Sequence, residues 1–587
     1  MNATSAAAAV PFPRPFIDNL HRPRGARHGL SWRAAIAAAS LALLPMAALA
    51  DGAVPPSSVV APDHGGGGGN GGGAMSQADA TRLLEQSTFG PTDALVAQVQ
   101  AEGLKGWLNA QFAAPESTYP ALPYVPSDGT TFCATSSDPN CLRDNYSLFL
   151  LQNAFFVNAL TKPDQLRQRV AFALSQIFVT SGVDINEAYG MAQYQQMLLD
   201  NAFGNFETLL NQVTLSPVMG KYLNMVNNNK AAGTTNPNEN FAREVMQLFS
   251  VGVWELNEDG SQLVVQGSHG PTPTYTQDTV GQFATLFTGW TYPVQPGSSQ
   301  ANHNPQYYIG SMVGVPVEHD TASKTLLEDA VDPAGNTMPA DLAFAMQNLS
   351  QHPNVGPFIG KQLIQKLVTS NPSPQYVARV TAVFDNDGTG VRGNLKAVVT
   401  AILSDPEARG SVETNPSYGK LREPVLFLTG AARALGTASD GVYLAQQARN
   451  LGQDVFRAPT VFNYYPPDYV IPGTALLGPE FALQNASTAI NRYNFANTFA
   501  FGTMPPLSTL PGATGTVPNW TVLQGLAASP TKLVNELNNL LLHGTMPAAM
   551  QAQLLSAINA VPASNPLLRA QTALYLTITS AQYQVEQ

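Results

Sequence analysis

The chain reads as mainly α: a multi-helical globular body with long loops and at most a small β element. Three observations carry this. Apolar residues recur at helical spacing in most segments after residue 76. Clean period-two stretches are few. Proline and glycine clusters such as Gly270–Pro273 and Pro293–Gly297 punctuate the helical runs as long loops.

The elements follow in order. Ser76 can cap a helix carrying Ala80, Leu83 and Leu84. Leu166 to Val179 repeats apolar residues at Val170, Phe172, Ala173, Ile177 and Phe178. Asn236 to Gly252 predicts a capped helix. Asn236 serves as N-cap, Pro237 as first helical residue and Glu239 as the third, where it reaches back as in a capping box. Phe241, Val245, Leu248 and Phe249 share its apolar face. Thr276 to Thr288 places Val280, Phe283, Ala284 and Phe287 on one face. Val355–Val368, Pro374–Phe384, Leu395–Leu403 and Pro424–Leu435 keep the same period, and Ser529–Gln582 returns to helices. Tyr307–Val317 is the best candidate for a strand or hairpin.

Residues 1–50 read as a secretory signal peptide. Arg22, Arg24, Arg27 and Arg33 make a basic region, Ala34 to Leu44 is apolar, and Ala48-Leu49-Ala50 is a small-residue cleavage site. The apolar segment is short for a span, so no stable membrane span is expected after cleavage. Residues 51–75 are a glycine-rich linker. Residues 76–587 form one large helical domain, or two subdomains meeting near 290–340. Cys133 and Cys141 predict a disulfide in an exported chain, periplasmic or extracellular.

Only 12 % of residues are charged and the net charge is −11, with no basic stripe. Nucleic acid is thereby excluded as a partner, and docking on anionic lipid is disfavoured. There is no Gly-x-Ser-x-Gly elbow, no His-Glu-x-x-His helix and no phosphate loop, so no cofactor and no metal is assigned. Asp385 to Gly390 imitates the start of a calcium loop, but Lys396 stands at the twelfth position, where a carboxylate is needed. A tight polar turn is expected there.

Ordered blocks of the chain resemble the bacterial family catalogued as domain of unknown function 1800. They are Arg82–Thr92, the 238–252 motif, Tyr275–Val280 running on to Phe287-Thr288-Gly289-Trp290, His319-Asp320 with Lys324–Leu327, His352-Pro353 with Lys361–Leu363, and Pro424-Val425 with Arg433–Gly436 and Leu451–Gln453. The resemblance implies an exported, mainly helical protein. It also implies a possible exported partner resembling alkaline-phosphatase-type enzymes. Many members carry His-Asn-His where this chain has Ser175-Gln176-Ile177, so a metal site on those histidines is in doubt here.

Two functional readings follow. In the first, the protein is a hydrolase-like enzyme acting on an extracellular or envelope substrate. Glu244 and His319 supply acid–base chemistry, Arg243 keeps Glu244 ionised, Asp278 and Asp320 assist, and Asn240 and Trp290 bind substrate. These residues must then meet in one cleft. In the second, the protein is a non-catalytic exported scaffold or partner-binding protein, and the same groups form a buried structural network. In that reading Asp320 caps the next segment. His352-Pro353 is expected to pack and cap a helix, Lys361 and Lys366 to be solvated, and Trp254, Trp290, Tyr464 and Tyr465 to anchor core and loops rather than stack sugars.

Overall fold

The Ser76 hydroxyl accepts a hydrogen bond from the Asp79 backbone N–H at 3.1 Å and starts the first helix, Gln77–Ser87. The computed structural model describes residues 75–268, 270–409 and 417–586, all within a compact unit spanning Gly71–Gln587. The signal-peptide and linker expectations lie outside the described residues.

The fold is mainly α, as the periodicity predicts. The observed helices Gln165–Ser175, Gln277–Leu286, Val355–Leu367, Pro374–Asp385, Leu395–Ser404 and Pro424–Ala434 match the expected segments to within a few residues at their ends. Helix Val355–Leu367 packs on Pro374–Asp385, which packs on Leu395–Ser404, and it also touches Gln165–Ser175. Near the C-terminus, Thr521–Leu526, Pro530–Leu541 and Ala548–Ala560 gather around Pro566–Ile578 and one another. A continuous apolar core runs from Ala80 to Tyr583. Among the described residues no helix is long and apolar enough to cross a membrane.

The β content is four two-stranded antiparallel ladders among the described residues. Within the expected Tyr307–Val317 region only Val313–Gly314 pairs, with Trp290–Thr291. Lys420–Leu421 pairs with Val585–Glu586 and ties the C-terminus to the middle of the fold. The expected disulfide joins Cys133 to Cys141, linking helix Gly129–Ala134 to Cys141–Asn145.

One local expectation fails. The motif helix runs Asn240–Gln247 with Glu239 at its N-cap, so Asn236 and Pro237 lie before it. A tertiary contact explains the difference. The Asn228 side chain accepts from the Asn238 N–H at 2.7 Å and donates to the Asn238 carbonyl at 3.1 Å. With both backbone groups of Asn238 held outside a helix, the capping box cannot form.

Between the first two helices the backbone comes close to another element. Gly90 has φ +133, and a Cβ there would lie 2.6 Å from Gly430 Cα in helix Pro424–Ala434. The Gly90 carbonyl also accepts from Arg433 Nε at 2.7 Å. Gly90→Ala must push these elements apart, so a loss of about 2–4 kcal/mol is expected in denaturant unfolding. Unfolding within error of wild type would show that the approach is not constrained.

Candidate acid–base site

The residues singled out in the sequence fall into separate environments. Arg243 does not pair with Glu244. Its Nη2 lies 3.0 Å from Glu239 Oε2 and 3.0 Å from Gln277 Oε1, at a partly exposed surface. Glu244 is buried, its Oε2 has no hydrogen-bond partner, and burial holds its carboxyl above the usual range despite the nearby Arg243 charge. Asn240 donates to Asn224 Oδ1, and Asp278 is exposed in the first turn of Gln277–Leu286. Trp290 is buried in its ladder and Tyr465 is buried elsewhere, whereas Trp254 is exposed, so these aromatics form no common platform. Asp387 Oδ1 accepts from the Thr389 and Val391 N–H groups and closes the polar turn expected at 385–390.

His319 sits in a buried network, in which Asp341 Oδ1 and Asp332 Oδ2 are left without hydrogen-bond partners. Its side chain is 2 % exposed, Nε2 lies 3.0 Å from Asp341 Oδ2, and Nδ1 lies 2.9 Å from the Thr288 carbonyl. Lys324 Nζ reaches the same Asp341 Oδ2 at 2.8 Å and donates to the Asp320 and Ala322 carbonyls. Asp332 stands behind Lys324, and burial raises its carboxyl. Asp320 holds a turn by accepting from the Ala322 N–H. These contacts pin the 319–336 loop to helix Met338–Gln351. No hydrogen bond or ion pair links this network to Glu244 among the described residues. The convergence that a Glu244–His319 enzyme requires is not present in these contacts.

A different cluster has the properties that acid–base chemistry needs. Glu423 precedes helix Pro424–Ala434 and is fully buried. Its Oε2 accepts from Gln453 Nε2 at 2.5 Å and Gln176 Nε2 at 3.1 Å. The Tyr465 hydroxyl lies 2.8 Å from Glu423 Oε2 and 3.0 Å from Gln176 Oε1, and its one hydrogen serves one acceptor at a time. Glu423 Oε1 is buried without a partner. Nearby cations, Lys420 first, outweigh its burial and keep it ionised.

Lys366 was expected to be solvated, but it is 7 % exposed. Helix Val355–Leu367 is apolar on most sides and buried almost all round, so even its polar residues are enclosed. Lys366 Nζ donates to Gln176 Oε1 at 3.2 Å and lies 5.4 Å from the centre of the Tyr465 ring. Burial pulls its amine down to about 8. Glu480, from the 3-10 turn Pro479–Leu483, is held above the usual carboxylate range by burial, against the pull of Lys420. Lys366, Glu480 and Tyr465 line one crevice, with a free volume of about 10 Å³, together with Gln362, Gln365, Pro467 and Pro479. Gln362 Nε2 is buried there with no partner. A second crevice, of the same free volume of about 10 Å³, is lined by Arg422, Glu85 and Glu586 among others. Its central guanidinium is already committed, to Glu85 at 2.5 Å and the Tyr583 carbonyl. The crevice at Lys366 is therefore the better candidate.

The sequence reading missed Lys366, Glu423, Tyr465 and Glu480 as functional candidates. One signal was available: Lys420, Arg422 and Glu423 crowd three charges into four positions, just before an apolar helix, in a chain poor in charge. For metal binding, Glu255, Glu328 and His352 are the group of three donor residues that lie close enough together among the described residues.

The family model described as Protein of unknown function (DUF1800) matches residues 82–585. The chain belongs to this family. No curated protein and no solved structure matches it. In this DUF1800 chain Gln176 is a hub of the buried cluster.

Two outcomes are expected. His319→Ala strips a buried partner from Asp341 and should cost about 2–4 kcal/mol in unfolding. A change below 0.5 kcal/mol, roughly the scale of an ordinary surface substitution, would remove the structural role. Lys366 titrates near 10.5 when free and near 8 when folded. Between those values the unfolded chain holds the extra proton, so burial of Lys366 penalises folding least at high pH. Wild type should gain stability relative to Lys366→Met as pH rises through this window, by up to about 1.4 kcal/mol per pH unit. A flat difference would show that the amine is not perturbed.

Proposed function

We propose that this protein is an exported acid–base enzyme of hydrolase type, acting at the Lys366–Glu480–Tyr465 crevice rather than through Glu244 and His319. One observation carries the reading: an amine lowered toward neutrality and a carboxyl raised toward it line the same crevice, beside unsatisfied polar atoms. A neutral Lys366 amine can accept a proton and a protonated Glu480 can donate one, the division of labour that hydrolysis requires. The Tyr465 hydroxyl ties the Glu423 carboxylate to the wall of the crevice. The free volume of the crevice is about 10 Å³, room for about one water molecule, which suits a hydrolytic water with the substrate held at the mouth. Export is supported by the basic, apolar and small-residue segments at the start of the chain.

A second reading, a non-catalytic exported scaffold that binds a partner, is favoured by the buried His319–Asp341–Lys324 network that pins a loop to a helix. The two are separated by Lys366→Met and Glu480→Gln, compared with wild type on chromogenic ester, glycoside and phosphoester substrates and in thermal unfolding. The enzyme reading expects wild-type turnover that falls by roughly 100-fold or more in both variants, with Tm unchanged or raised. No turnover on any substrate class, with both variants melting below wild type, would overturn it in favour of the scaffold.

A further inference from the structure

His352 ends helix Met338–Gln351, and its side chain is 1 % exposed. Nδ1 accepts the Asn354 backbone N–H at 3.2 Å. Nε2 is buried and has no hydrogen-bond partner. Two carboxylates face it: Glu328 Oε1 at 3.3 Å and Glu255 Oε1 at 3.9 Å. The three donor atoms all lie within 4.8 Å of one another. No lysine or arginine pairs with either glutamate among the described residues. The nearest guanidinium, Arg392, is spent on the His352 and Ser350 carbonyls and on Asp385.

We infer that Glu255, Glu328 and His352 form a binding site for a divalent transition-metal ion, Zn²⁺ or Mn²⁺. Donors about 2.0–2.2 Å from such an ion sit about 3.0–3.6 Å apart around its coordination shell. The His352–Glu328 separation already falls in that range, and the His352–Glu255 separation exceeds it by a few tenths of an ångström. One imidazole and two carboxylates suit these ions and leave a further position for water.

The donors come from three braced segments of the chain. Glu255 lies on an arm, its N–H bonded to the Thr272 carbonyl and its carbonyl to the Leu263 N–H. Glu328 lies in a turn where it and Asp329 both adopt left-handed backbone, φ 57 and φ 53. That turn is closed by the Lys324–Thr325 and Val331–Asp332 ladder and gripped by Asn348, which bonds both Leu327 backbone groups. Asn348 is on the helix that ends at His352, so turn and imidazole are held on one rigid support. Burial and the Glu328 charge raise the Glu255 carboxyl, as two like charges facing an uncharged ring should. Burial also lowers the His352 ring and keeps it neutral, the form that ligates. Coordination through Nε2 puts the ring proton on Nδ1, so the 3.2 Å contact from Asn354 opens when the ion binds.

The test is calorimetric titration of chelator-stripped full-length protein with ZnCl₂ and with MnCl₂, using wild type, Glu328→Gln and Glu255→Gln. The Glu328 side chain is 69 % exposed, so its replacement leaves the fold intact, and thermal unfolding of the metal-free proteins checks this. Wild type should bind one ion per chain at this site, with a raised Tm, and each variant should lose affinity by roughly 100-fold. The proposal fails if wild type binds neither ion, or if wild type and Glu328→Gln give the same isotherm. The latter would place the ion elsewhere, for example at His303.

Discussion

The carbonyl oxygen of Lys366 receives two buried cations. Arg169 Nη2 donates to it at 2.5 Å and Lys420 Nζ at 2.7 Å. It belongs to the last turn of helix Val355–Leu367, where carbonyls have no partner within the helix and the helix dipole is negative. Helix Gln165–Ser175 supplies one cation, and the ladder that binds the C-terminus supplies the other. Three distant parts of the chain are thereby tied to a single atom. The direction of the Lys366 side chain, and with it the crevice, depends on that tie.

The arrangement also explains how so many charges can be buried in a chain that has so few. Across the two crevices and the core between them, Arg169, Lys366, Lys420 and Arg422 are offset by Glu85, Glu423, Glu480 and Glu586, all buried. Isolated, any one of these would cost several kcal/mol to desolvate. Together they exchange hydrogen bonds and compensate charge, but not completely. Glu423 Oε1, Glu586 Oε1 and Gln362 Nε2 stay without partners. The His319 network also leaves Asp341 Oδ1 and Asp332 Oδ2 without hydrogen-bond partners, so the crevice draws its functional reading from the lowered Lys366 amine and raised Glu480 carboxyl that line it.

The His319 network and the Glu255–Glu328–His352 group share a support. Both lean on helix Met338–Gln351, through Asp341 in its first turn and His352 at its end. The intervening loop is pinned at Lys324 and turns back at Glu328. Fixing the loop at one end of the helix thus presents a carboxylate to the other, and the histidine adjacent to proline becomes more than a helix terminus.

The sequence alone determined the helices, because their apolar periodicity and their caps are local. Val280, Phe283 and Phe287 point the same way in any context that keeps the helix, and Ser76 caps its helix wherever it stands. The spacing of Cys133 and Cys141 likewise sufficed for their bond. Family membership was legible from ordered motifs. Burial of a charge was not legible, because it depends on what other elements bring to the same place. Lys366 and Arg243 both lie on helices, yet one faces Gln176 and Tyr465 in the core and the other faces Glu239 at the surface. Glu244 and His319 look like partners in a list of polar residues, but tertiary packing gave each a separate environment. Convergence is a property of long-range contacts, and no local pattern encodes it.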